Sequence, residues 1–145
     1  MSGLRLPEFK QSFKGHIVNP GDEEYTKAIA RWAVNVERNA RVVAFVKDTD
    51  DVTLALRYAR TNNFQVAIRC GGHSPSGASS VEDGLVIDLS RYLEYAIVDP
   101  EKRTARVGGG SLWATVENEA IKHGLATVAG SVNHVCHYDL HSMRY

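Results

Sequence analysis

The sequence predicts an α+β fold built as two sublobes, a βαβ unit followed by a mixed or antiparallel sheet. Three observations predict it. Two short strand-length runs, the apolar 42–46 and then 66–70, flank a stretch of helical spacing. A Ser-, Gly- and Pro-rich segment, residues 74–84, follows the second run and must be a loop. Beyond it come three strand-length patterns, 85–89, 95–98 and 104–107, with a turn sequence between the last two. A length of 145 residues suits one ordinary domain. The 43% hydrophobic and 23% charged content lies near globular norms, which excludes disorder and collagen-like repeats.

The elements follow in chain order. Residues 7–14 carry a short helical signal, and 15–18 a brief extended piece closed by Asn19-Pro20-Gly21. Asp22 is the expected N-cap of a helix with Glu23 and Glu24 in its first turn, where the dipole favours negative charge. Tyr25, Ala28, Ile29 and Trp32 then form one apolar helical face. The run 42–46 has no polar residue, as expected of a strand buried on both faces. Thr49 is the expected cap of the next helix, whose stripe is Val52, Ala55, Leu56 and Ala59 and whose end is Asn62-Asn63. After the hairpin at 95–107, Ser111 is expected to cap a helix running to about Lys122, with Gly124 as its C′ residue. The boundary between sublobes is expected near 74–84.

Seventeen basic side chains balance 17 acidic ones, without the basic excess of a nucleic-acid binder or a like-charge run that would dock on a membrane. No apolar stretch reaches 18 residues, and the first 20 lack the apolar core of a secretory signal, so the expected location is cytoplasmic. Cys70 and Cys136 cannot form a disulfide scaffold.

The chemistry concentrates in Arg69-Cys70-Gly71-Gly72-His73-Ser74. A strand ending in two glycines can bring bare backbone N–H groups against an anion, because no Cβ blocks the approach. Arg69 and Ser74 add donors on either side. This suggests a pyrophosphate cradle without naming a nucleotide. The alternative is a glycine-rich turn bearing a surface histidine, and composition on its own favours that alternative.

The order of motifs adds to this. The βαβ unit and R-x-G-G-H-S are followed by the 83–90 segment, the hairpin, Gly108-Gly109-Gly110 entering a helix with Trp113, and then 123–131. This order resembles the FAD-binding domain of the p-cresol-methylhydroxylase type, in the berberine-bridge-enzyme-like branch of the vanillyl-alcohol-oxidase family of oxygen-dependent FAD-linked oxidoreductases. The likeness covers roughly residues 5–135. It implies FAD as cofactor, covalently joined through a ring nitrogen of His73. It also implies that Gly71, Gly72 and Ser74 hold the pyrophosphate, that Arg69 and Cys70 shape the loop, and that Gly130 and Ser131 approach the ribityl chain or ring. It implies a flavin oxidant that takes a hydride from a C–H or CH–OH carbon of a small molecule and passes electrons to dioxygen. Nothing in the residues places a catalytic base.

The resemblance sets residues 1–39 as a helical extension packed on the flavin domain, 40–135 as a partial FAD-binding domain, and 136–145 as a divergent tail. A truncated or alternatively spliced product, inactive by itself and with the last ten residues from read-through or a shifted frame, is expected. Cys136 is not the second covalent cysteine of some relatives, which lies near the position of Ser131. The run Gly108-Gly109-Gly110 fails as a Rossmann fingerprint because Trp113 holds the sixth position; Trp113 and Val116 are expected in the core. The competing reading is a non-catalytic remnant that binds a partner through uncovered strand edges. Ranked below it is a metal-binding module built on His134, Cys136, His137, Asp139 and His141, and no metal ligand is assigned.

Overall fold

The computed structural model describes residues 6–128 and 130–136. A four-stranded sheet in the order β1-β2-β4-β3 carries the core, where β1 is His16–Val18, β2 Val42–Phe45, β3 Val66–Arg69 and β4 Leu85–Asp88. Strand β1 is antiparallel to β2, while β4 is parallel to both β2 and β3, with Leu85 level with Val42 and with Val66. Every residue of β2 and β4 is buried, which explains the apolar run of β2 and the apolar residues Leu85 to Ile87 of β4.

The two-residue period of the central strands sorts their side chains onto two faces. Val42, Ala44, Leu85 and Ile87 face helices α1 (Leu6–Ser12) and α3 (Thr49–Thr61), packing with Phe9, Phe13, Ala55, Tyr58 and Ala59. Val43, Phe45 and Val86 face the other way, onto Val18, Ala28, Ala40, Ala67 and Val81. Phe9 stacks flat on Tyr58, with ring centroids 4.4 Å apart. Thus the extension before residue 40 supplies both an edge strand and an aromatic core residue.

Several local expectations need correction. Asp48, not Thr49, caps α3: its carboxylate accepts the N–H groups of Asp50 and Asp51 at 3.0 and 3.1 Å. Thr49 is already helical. The helix expected from Asp22 is shorter, α2 at Tyr25–Ile29, because Asp22 spends its carboxylate on the backbone and side-chain amides of Asn19. Ala30 then turns extended, so Trp32 leaves the apolar face and stands 70% exposed. Ser111 does not cap α4 (Trp113–Ile121). Its hydroxyl accepts the Tyr95 N–H and donates to the Tyr95 carbonyl, and Leu112 occupies the cap position.

The change of sheet also falls later than the loop 74–84. Strand β4 inserts between β2 and β3 and completes the parallel sheet, so the chain leaves that sheet only after Asp88. The second sheet is the expected hairpin, β5 (Ala96–Asp99) against antiparallel β6 (Thr104–Val107). Asp99 closes its turn by accepting the Lys102 N–H. Trp113 and Val116 are buried, as core residues should be. Among the described residues no helix is long and apolar enough to cross a membrane.

Candidate functional site

Parallel strands β3 and β4 end side by side, and the carboxyl end of such a sheet is where α/β folds place ligands. Arg69 closes β3 and Asp88 closes β4. Their side chains pair, the carboxylate wholly buried, and Asp88 also accepts the N–H and hydroxyl of Ser90. The pair fixes where the chain must turn out of β3.

That turn is Gly71-Gly72. Gly72 has φ +71°, a left-handed conformation that side chains with a Cβ rarely adopt. A Cβ there would also lie 3.2 Å from Arg31 Cδ and from Arg69 Nε. At Gly71 a Cβ would come within 2.6 Å of His73 Nδ1, so the histidine ring folds back over the turn that carries it. The N–H of Trp32 holds the Gly72 carbonyl at 3.2 Å.

The turn opens on a cavity of about 330 Å³. Cys70, Gly72, His73, Ser74 and Ser79 line one side, and Val52, Leu56, Ile68, Ile87 and Leu89 form an apolar wall from α3, β3 and β4. Gly109 and Cys136 complete it. Of the residues expected at the site, Cys70, Gly72, His73 and Ser74 therefore meet at one cavity. Gly71 shapes the turn, and Arg69 braces it from behind. Gly130 is half-buried and Ser131 exposed, and neither lines the cavity.

The segment they open does reach it. The Trp113 and Ala114 N–H groups bond to the carbonyls of Val135 and Asn133, and Leu112 bridges to Cys136. This laces residues 133–136 onto the start of α4, and Cys136 is 2% exposed there. His134 stands near His73, ring centroids 5.4 Å apart. Cys136 is thus part of the packed site rather than the start of a divergent tail. Nothing local in the sequence signals this, because the pairing joins segments far apart in the chain. Among the described residues no group of three or more could hold a metal ion; His137, Asp139 and His141 lie outside the described residues.

Sequence reasoning also missed Arg31. It is 7% exposed, and its guanidinium donates to the carbonyls of Ser79, Ala28 and Ala30. Burial, reinforced by the neighbouring charge of Arg69, pulls its pKa down to about 10. Among the described residues, the buried Nε of Arg69 and the hydroxyls of Ser79 and Ser80 make no hydrogen bond. Buried donors without partners beside a side-chain-free turn suit a polyanion, which would supply the missing acceptors. The residues present therefore fit a dinucleotide's pyrophosphate. The apolar wall suits a flat ring system.

Comparisons with known proteins agree with this geometry. Residues 40–136 match the FAD binding domain family. The chain is 35% identical over 132 residues to the FAD-linked oxidoreductase pgmH of Aspergillus terreus, an alignment covering 88% of this chain and 26% of that protein. Its structure superposes on 6-hydroxy-D-nicotine oxidase from Arthrobacter nicotinovorans with a TM-score of 0.83 at 30% identity, covering 86% of this chain and 27% of the oxidase. A variant of BBE-like 1 from Physcomitrella patens shares the fold, with a TM-score of 0.82 at 21% identity over 93% of this chain and 29% of that one. The chain thus spans about a quarter of the length of these proteins. It belongs to the FAD-binding domain family of the FAD-linked oxidoreductases, and its cofactor is FAD.

Proposed function

We propose that this chain forms the flavin-holding part of an oxidase that takes a hydride from a C–H or CH–OH carbon of a small molecule and passes the electrons to dioxygen. The single observation that carries the reading is the convergence of the Gly71-Gly72 turn, His73 and Ser74 on one apolar-walled cavity at the end of β3. A relative supports the class: (R)-6-hydroxynicotine oxidase of Paenarthrobacter nicotinovorans is 31% identical over 119 residues. Bound FAD supplies a two-electron acceptor whose reactive ring the protein must position.

The chain's own residues do the holding. Backbone amides at Gly71 and Gly72, with the Ser74 and Ser79 hydroxyls, would hold the pyrophosphate. The cations Arg31 and Arg69, packed behind the turn, would add positive charge near it. His73 is the proposed covalent ligand, joined through a ring nitrogen to the 8α-methyl carbon. Val52, Leu56, Ile68 and Ile87 would give the ring an apolar surface. The 130–136 segment, opening with Gly130 and Ser131, would bound the site through Cys136.

The test is colour after denaturation. The purified chain, supplied with FAD and then precipitated in acid, is expected to stay yellow, and the His73→Ala variant to release its flavin. A wild-type chain that never takes up flavin overturns the reading. Flavin retained covalently by His73→Ala would move the attachment elsewhere.

A further inference from the structure

Among the cavities, charged clusters and exposed apolar faces, one side chain stands out because it lies outside the matched domain yet is built into its site. Arg31 is nine residues upstream of the matched segment, which begins at residue 40. We propose that Arg31 is the positioning residue that clamps the pyrophosphate loop, holding both ends of the 72–79 segment in the shape that receives the cofactor. The inference rests on the flavin reading above and deepens it.

The geometry shows the clamp directly. Nε and Nη2 of Arg31 both reach the Ser79 carbonyl, at 3.1 and 2.6 Å. Nη1 reaches back to the carbonyls of Ala28 and Ala30 at 3.3 and 2.8 Å, anchoring the guanidinium to the end of α2. The Arg31 N–H is itself fixed by Glu37 Oε1 at 2.9 Å. At the other end of the loop, Arg31 Cδ packs against Gly72, and the next residue, Trp32, holds the Gly72 carbonyl. One stretch of two residues therefore grips the loop at its first and last turns.

The chemistry fits a positioning role better than an ordinary surface arginine. A guanidinium that is 7% exposed normally pairs with a carboxylate, yet among the described residues Arg31 forms no ion pair. Its charged surroundings include another cation, Arg69, only partly offset by the carboxylates of Asp88 and Glu37, and burial disfavours its charge. A polyanion on the opposite face of the loop would relieve both costs. The planar fork also matters. Lysine could carry the charge but could not hold Ser79 twice while bonding Ala28 and Ala30.

The experiment compares the full wild-type chain with Arg31→Lys and Arg31→Gln. Amide hydrogen exchange over residues 72–80 is read without flavin, with the β2 and β4 amides as the control for an intact core. Affinities for FAD and for ADP, which has the pyrophosphate but no flavin ring, are measured alongside. In both variants we expect exchange over 72–80 to quicken, and FAD and ADP binding to weaken, by about tenfold or more with the core unchanged, the loss expected for hydrogen bonds from a charged donor. Wild-type loop exchange in Arg31→Lys overturns the clamp, as does a loosened loop with undiminished affinity. If Arg31→Gln does not fold, Arg31→Lys alone decides. If the wild-type chain binds neither FAD nor ADP, the flavin reading and the inference built on it both fail; binding by wild type and variants alike, at equal affinity, overturns the clamp only.

Discussion

Arg69 at the end of β3 and Asp88 at the end of β4 form an ion pair whose carboxylate has no exposed surface. The same carboxylate takes the Ser90 N–H at 2.9 Å and its hydroxyl at 2.6 Å, so one acidic group ties the exits of two neighbouring parallel strands. The glycine turn starts two residues beyond Arg69, and the pair therefore sets the direction in which it leaves the sheet.

Removing one partner of such a pair strands the other charge. Asp88→Asn keeps the shape and one acceptor but leaves Arg69 uncompensated, and it should cost about 3 kcal/mol of stability. A chemical denaturation midpoint shifted with an unchanged slope would register this. The double variant Asp88→Asn with Arg69→Met, which removes both charges, should regain part of the loss.

The acid side of the stability curve has a local cause at the start of α3. Asp48 accepts a hydrogen bond from Lys14 Nζ at 2.7 Å and caps the helix, and these bonds hold its carboxyl below the usual range. Lys14 is correspondingly held above its ordinary value by Asp48 and Asp50. Because the folded value of Asp48 is depressed, its contribution is fully present above the unfolded pKa of about 3.9 and is lost as pH falls through the folded value. Asp48→Asn, which still caps, should flatten the stability profile below about pH 4 while leaving it little changed in slope near neutrality. Urea melts at a series of pH values test this, and high salt should shrink the difference because both side chains are largely exposed.

The βαβ unit was legible because its parts are local: an apolar run of strand length, then a helical stripe. The position of β4 was not, since its run 85–89 pairs equally well by pattern with any parallel neighbour, and only the packed sheet puts it between β2 and β3. The cap errors share another origin. Asp48 and Thr49 are adjacent good caps, and Ser111 had a stronger alternative in the Tyr95 backbone. At the site, the glycines and His73 were readable because that chemistry needs contiguous residues. Arg31 was not, because a single arginine outside any motif reads as solvated until Ser79, far along the chain, is seen to close over it.

The glycine turn makes a sharper prediction when compared with a second left-handed glycine. Gly72→Ala meets both an unfavourable φ of +71° and two arginine side chains at 3.2 Å, whereas Gly124, φ +65°, has nothing within 4 Å of a Cβ. Gly124→Ala should therefore cost only the backbone penalty, about 1 kcal/mol. Gly72→Ala should cost more and should also weaken FAD binding, which Gly124→Ala should leave intact. Paired denaturation curves and flavin titrations separate conformational strain from crowding of the cradle.

Phe9 tests whether the segment before residue 40 is part of the folding unit. It is fully buried, stacks on Tyr58 of α3 and makes a tilted contact with Phe13 at 5.1 Å. Truncating such a side chain removes its transfer free energy and leaves a cavity, together about 3–5 kcal/mol. Against a typical domain stability of about 5–15 kcal/mol, Phe9→Ala should leave the chain marginal. The expected result is one cooperative transition at a much lower denaturant midpoint, followed alike by tryptophan fluorescence and by far-ultraviolet circular dichroism. A variant that melted as the wild type does would mean that α1 contributes little to the core, although its ring fills the space over Tyr58.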